Sequence, residues 1–187
     1  MMKTRGEFIR NYWKNYLYLE KRFLDSESYV SIEKENNDAF SFEYLSLFIL
    51  LCNEFDAVTT EFCNHIEGEK RQRNINEKVG IIRDSVPNFN KYKADINERF
   101  EGYNLVPFEK FGKTSADWWH DYTYVKHYRS MTDENTHKPN YYKANLKNVF
   151  TALSALYLIS CIFYERLEKD TQYSVEKSSA IFTKCGF

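Results

Sequence analysis

Apolar residues recur along this chain with the 3.6-residue period of an α-helix, and no stretch shows the strict alternation of a half-buried strand. Across residues 7–25, Ile9, Trp13, Tyr16, Leu17 and Leu24 fall at helical spacing among Arg, Lys and Glu. Residues 26–38 lose that period and read as a loop or a short helix. Ser41 then stands as the N-cap of a long helix over 42–66, striped by Leu45, Phe48, Cys52, Phe55, Phe62 and Ile66 and ended by Gly68. A short helix over 76–86 stops before Pro87, residues 91–101 read as a polar helix, and 102–112 as a connecting loop. Residues 115–129 read as a helix capped by Ser115 and are followed by a polar loop over 130–140. The last long helix, 142–170, carries Leu146, Val149, Phe150, Leu153, Leu156 and Tyr157 at i, i+3, i+4, i+7 spacing. The predicted architecture is an all-α helical bundle in which helices 42–66 and 142–170 form the core pair. One domain is expected over 1–187, with its core at about 7–170 and a tail at 171–187.

Composition sharpens this picture. Phe, Tyr and Trp make 18% of the 187 residues, while Gly numbers 6 and Pro 3. So few chain breakers exclude collagen-like, linker-like and disordered classes, and argue against a turn-dense sandwich or a Gly-rich nucleotide fold. Rings at helical spacing belong first to a core, so the aromatic excess is expected inside the bundle or on a dimer face. The run VFTALSALYLISCIFY, 149–164, carries no charge but is shorter than the ~20 residues that span a bilayer. It is expected as a buried helix, with no membrane partner.

Charge is balanced, at 26 basic against 27 acidic residues, so no global field draws in nucleic acid. Four cysteines (Cys52, Cys63, Cys161 and Cys185) lack zinc-ligand spacing and CxxC pairs. Reduced, mostly buried thiols are expected, and with no apolar leader at the start the expected location is cytoplasmic.

The densest chemistry lies in SADWWHDYTYVKHYR, 115–129. On a helix Trp118, Tyr122, Val125 and Arg129 share one side, while His120, Tyr124 and His127 line another. His120 and His127 are seven residues apart, about 10.5 Å of helical rise, where one ion wants i, i+4 ligands. No metal or other cofactor is therefore expected. Lys126, His127 and Arg129 suit phosphate: a point charge, a proton carrier near neutral pH and a planar fork. Metal-free RNA cleavage needs a base for the 2′-OH, an acid for the leaving oxygen and cations around phosphorus. His127, Arg129 and Lys126 are thus the candidate catalytic set, with Tyr122, His120 and Trp119 as candidate substrate contacts. Within the apolar helix, Glu54 and Asp56 lie about 200° apart, so one of them is drawn toward the interior and must find a partner. Pairing of Glu54 or Asp56 with Lys126 or Arg129 would unite the two sites. His65, at a helix C-terminus, is explained by the helix dipole, and His137 is expected to be exposed.

WWHDYTYVKHYR followed by NLKNVFTALSALYLI, with FSFEYLSLFILLCNEFD upstream, resembles bacterial HEPN-like helical proteins over roughly residues 29–167. That resemblance implies an α-helical bundle, a homodimer, and metal-independent RNase activity in defence or toxin–antitoxin systems, with RNA or a nucleotide as ligand or a protein as partner. Lys126, His127 and Arg129 match the KH.R positions of the motif. Thr123 stands where an Asn is expected, and the Arg-x4–6-His signature of the RNases is absent. A non-catalytic helical interaction module is the alternative.

Overall fold

The computed structural model describes residues 2–69, 73–111, 114–169 and 178–183. The chain opens with one continuous rod: α1 (Arg5–Phe8), a π-helical segment (Ile9–Trp13) and α2 (Lys14–Asp25). Thr4 caps it reciprocally, its hydroxyl accepting from the Glu7 N–H while Glu7 accepts from the Thr4 N–H. Then follow α3 (Phe42–Glu67), α4 (Ile75–Ser85), α5 (Asp117–His127) and α6 (Leu146–Arg166). Two short strands, β1 (Asp95–Ile96) and β2 (Phe182–Thr183), pair antiparallel with Ile96 opposite Phe182. The protein is mostly helical, and all-α describes it.

The long helices 42–66 and 142–170 of the sequence reading are α3 and α6, and their mutual packing forms the centre of the fold. Phe62 stacks on Phe163 at 4.8 Å between ring centres. Phe150 meets Phe23 and Tyr103, and Trp13 stacks on Tyr16 at 4.6 Å beside Tyr157. One apolar cluster runs from Met2 to Phe182. Helix α6 is long and apolar enough to cross a membrane, yet 89% of its most apolar stretch is buried inside the bundle. Its apolar surface is used by the core. Buried hydroxyls on the core helices are satisfied locally: Thr59 donates to the Phe55 carbonyl at 2.9 Å and Ser154 to that of Thr151 at 2.7 Å.

Ser41 caps α3 as its position suggests, accepting from the Tyr44 N–H, and Gly68 ends the helix at φ 78°. Asn74 and Asn145 cap α4 and α6 in the same manner. Three expectations differ from the structure. Residues 91–101 are not a helix but short turns around β1, because Ile96 and Asn97 pair with Phe182 and Ile181 far along the chain and the Ala94 N–H donates to the Leu105 carbonyl. The last helix starts later, at Leu146, after a 3₁₀ turn at Asn140–Lys143. Part of the expected tail is structural: Ile181 and Phe182 are buried, and Phe182 stacks on Tyr157 at 4.7 Å.

That segment is held by a buried carboxylate. Glu20, on α2, accepts from the Tyr16 hydroxyl at 2.6 Å, from the Ser179 hydroxyl and from the Ala180 N–H at 2.9 Å. Burial, followed by the Glu20 charge, pushes the Tyr16 phenol well above its ordinary range. Cys52 and Cys63 are free and buried, as expected, and burial raises both thiols, that of Cys63 to about 11. Cys161 departs from the expected reduced state, since it is disulfide-bonded; Cys185 lies outside the described residues.

Candidate functional site

Helix α5 is short and half of it is locked into the core. Trp118, Trp119, Tyr122 and Val125 are buried. Phe55, on α3, meets Trp118 edge-on at 5.3 Å and Trp119 at 5.6 Å. The Trp118 indole donates to the Pro107 carbonyl at 2.9 Å, and the Tyr122 hydroxyl to Asn53 Oδ1 at 2.6 Å. Burial pushes the Tyr122 phenol up to about 12. The helix starts behind Ala116, which offers no side-chain cap, and Ser115 instead donates to Asn76 Oδ1 at 3.1 Å. The rings Trp119 and Tyr122 therefore spend their surface on packing. His120 is exposed, with its ring edge-on to Tyr124 at 4.8 Å.

The other half of the motif faces water. Lys126 and His127 form the last turn of α5, and Arg129 follows in a turn rather than on the helix. All three are exposed, and among the described residues none of their side chains makes a hydrogen bond or ion pair. Lys126 Nζ lies over the Tyr122 ring at 5.6 Å. Basic side chains are favoured at the partial negative charge of a helix C-terminus, which explains the placement of Lys126 and His127 without any ligand. It also leaves them available to one.

The structure sends the two carboxylates elsewhere. Asp56 pairs with the buried Lys78 of α4 at 2.8 Å. Glu54 is turned toward α2, where burial raises its carboxyl and a hydrogen bond with Asn15 partly offsets that effect. Neither Glu54 nor Asp56 joins Lys126 or Arg129, which follows from the wide angle between them on α3. His65 reaches the Met2 carbonyl at 3.4 Å through Nδ1, and His137 is exposed at φ 55° in the loop before α6.

A polar cluster that the sequence reading missed sits behind this motif. Lys143 Nζ lies between Asp121 of α5, at 3.1 Å, and Asp133 of the loop, at 2.8 Å. Asn148 Nδ2 holds the second oxygen of Asp121 at 2.8 Å. Asp133 also accepts from the Asn135 and Thr136 N–H groups. Its bond from Lys143, then that from Thr136, holds its carboxyl far below the usual carboxylate range. Burial opposes the charge on Lys143, but its two carboxylates win and its pKa is raised. The clamp fixes the loop and the end of α5 to the start of α6. It borders a cleft of about 290 Å³ lined by Asp38, Asp121, Asp133, Lys138, Tyr142, Asn145 and their neighbours. Only the spatial convergence of three separate segments makes this cluster, so no local spacing announces it.

Among the described residues no three His, Cys, Asp or Glu side chains gather as a metal set. Comparison with protein-family models, curated proteins and solved structures found no match. The class of the protein is therefore defined by fold and surface: a helical bundle presenting Lys126 and His127 from the end of a short helix and Arg129 from the turn that follows.

Proposed function

We propose that this is a HEPN-like, cytoplasmic protein directed to RNA, gripping phosphate with Lys126, His127 and Arg129, and acting as a homodimer in a bacterial defence or toxin–antitoxin system. The observation that supports it is the exposure of all three side chains, with no hydrogen bond or ion pair among the described residues, at the end of a helix and in the turn after it, where the helix's opposite face is locked by Trp118, Trp119 and Tyr122. A rigid base with free cations meets the requirement for preorganised phosphate binding. In the cleavage reading, His127 removes the 2′-OH proton and the 2′-oxygen attacks phosphorus. Lys126 and Arg129 hold the non-bridging oxygens, and the departing 5′-oxygen takes a proton from water or from His127 of a second copy. The products are a 2′,3′-cyclic phosphate and a 5′-hydroxyl. With His127 as base, the acid is water or the His127 of a second copy, and the homodimer in this proposal comes from the family resemblance rather than from this step.

RNA cleavage by the full chain in EDTA tests it. Metal-independent cleavage that His127→Ala abolishes, with the helical circular dichroism unchanged, is expected. Lys126→Ala and Arg129→Ala should weaken RNA binding and lower its salt dependence. Wild-type protein that neither binds nor cleaves RNA would instead support a helical interaction module. The burial of Trp118, Trp119 and Tyr122 favours that second reading, because most of the motif is then packing.

A further inference from the structure

Helix α5 ends at His127, and the next four residues, Tyr128 to Met131, form a turn closed by the Met131 N–H on the Tyr128 carbonyl at 3.0 Å. This turn carries Arg129 and is exposed along its whole length. Carbonyls at and beyond a helix end have no partner within the helix, so such a turn frays unless something else holds it. Here two residues far along the loop do so. The Asn140 N–H donates to the Met131 carbonyl at 2.9 Å, and the Tyr141 N–H to that of Arg129 at 3.1 Å. The third bond comes from a side chain: Asn140 Nδ2 donates to the Tyr128 carbonyl at 3.0 Å.

Asn140 is an unusual residue to find there. It is 3% exposed, and its Oδ1 is buried with no hydrogen-bond partner among the described residues. Turning the amide over would set that oxygen against the Tyr128 carbonyl, acceptor against acceptor, so the orientation is fixed. A buried acceptor without a donor is a cost to folding that an apolar side chain of the same size avoids. The amide's one satisfied end is the hold on Tyr128. Behind it the support is firm, since Asn140 opens the 3₁₀ turn whose last residue, Lys143, is clamped between Asp121 and Asp133.

We propose that Asn140 is a positioning residue for the basic end of α5: through the Tyr128 carbonyl it fixes the turn, so that Arg129 keeps one place relative to Lys126 and His127 while RNA is bound. Lys126 and His127 stand on the helix and have its backbone bonds to hold them, whereas Arg129 stands beyond it. A guanidinium engages phosphate as a planar fork, and a fork that must first be ordered loses affinity. Asn140 itself, being buried, touches neither phosphate nor base. The inference rests on the RNA reading above.

Fluorescence anisotropy of the full chain with a labelled single-stranded oligoribonucleotide tests it. Asn140→Ala should weaken binding about tenfold, as Arg129→Ala does, and the double variant should bind no worse than Arg129→Ala alone. In a Lys126→Ala background the loss from Asn140→Ala should appear in full. A merely structural Asn140 would lower affinity equally in both backgrounds, and that result overturns the inference. Asn140→Leu guards against misfolding of the alanine variant: it keeps the volume, removes the orphan oxygen and should stay folded, yet bind as weakly as Arg129→Ala. Wild-type affinity in Asn140→Leu would overturn the inference and leave the RNA reading standing. Without RNA, trypsin should cut after Arg129 severalfold faster in either Asn140 variant, and an unchanged rate would show that Asn140 does not hold the turn. A wild type that binds no oligoribonucleotide ends the RNA reading and this role with it, even where trypsin shows the turn released.

Discussion

At the scale of single residues, the buried and half-buried charges have chosen partners near them in space rather than in sequence. Asp133 is the clearest case, taking Lys143 and two backbone N–H groups. Its folded pKa lies below the unfolded value of about 4. The stability it contributes is therefore complete above that value and is lost as pH falls toward the folded pKa. Asp133→Asn should melt below wild type at pH 7, and the gap should narrow steadily in scans below about pH 4. Asp56 and Lys78 provide a second test. A double-mutant cycle between them should show coupling of about 1 kcal/mol, whereas cycles of Asp56 with Lys126 or Arg129 should show none. Coupling across the latter pairs would contradict the geometry found here.

At the scale of elements, the caps and core stripes were legible in sequence because their causes are local. Ser41 and Gly68 bracket α3 through one hydroxyl and one left-handed backbone position, and Phe48, Phe55 and Phe62 repeat with the helix. Residues 91–101 were misread because β1 owes its form to Phe182 and Ile181, some 85 residues on. The same distance hid Glu20, whose polarity marked it for the surface while its partners Ser179 and Ala180 drew it inside. Lys126, His127 and Arg129 were singled out as candidates by type and spacing, and the structure places them exposed at the end of α5 and just beyond it. The Lys143 clamp was not legible, because it is assembled from segments with no shared period. Glu20→Gln should destabilise the fold by about 1–3 kcal/mol, as a neutral amide cannot satisfy every donor around it. Limited proteolysis should then cut residues 178–183 first, and an unchanged cleavage pattern would show that the carboxylate is not their anchor.

Across the whole molecule, one helix carries the bundle. Helix α6 is covered on nearly every side, so its substitutions act on all neighbours at once. Phe163→Ala removes the stack on Phe62 and the edge contact with Phe8, linking three helical segments. A loss of about 3–5 kcal/mol in denaturant unfolding is expected, with the transition remaining cooperative. The aromatic excess has two destinations at this scale. Most rings fill the space between helices, where they bring large apolar area without glycine-dependent turns. A few, Tyr29 and Phe42 foremost, stay outside.

The π-helical stretch at Ile9–Trp13 sets the orientation of the molecule's first turn. There the Lys14 N–H reaches back to the Ile9 carbonyl, so the rod accommodates one residue more than an α-helix would over the same length. Deleting a single residue within the stretch would let the rod relax to regular winding with both flanks kept in place, whereas forcing it into an α-helix with no residue removed would rotate everything ahead of it by about 100°. Phe8 would then leave Phe163, and Arg5 would leave both the Glu168 carbonyl and the Tyr164 ring it now covers. That irregular turn acts as a dial, and its present setting is the one at which the first helix closes over the end of α6.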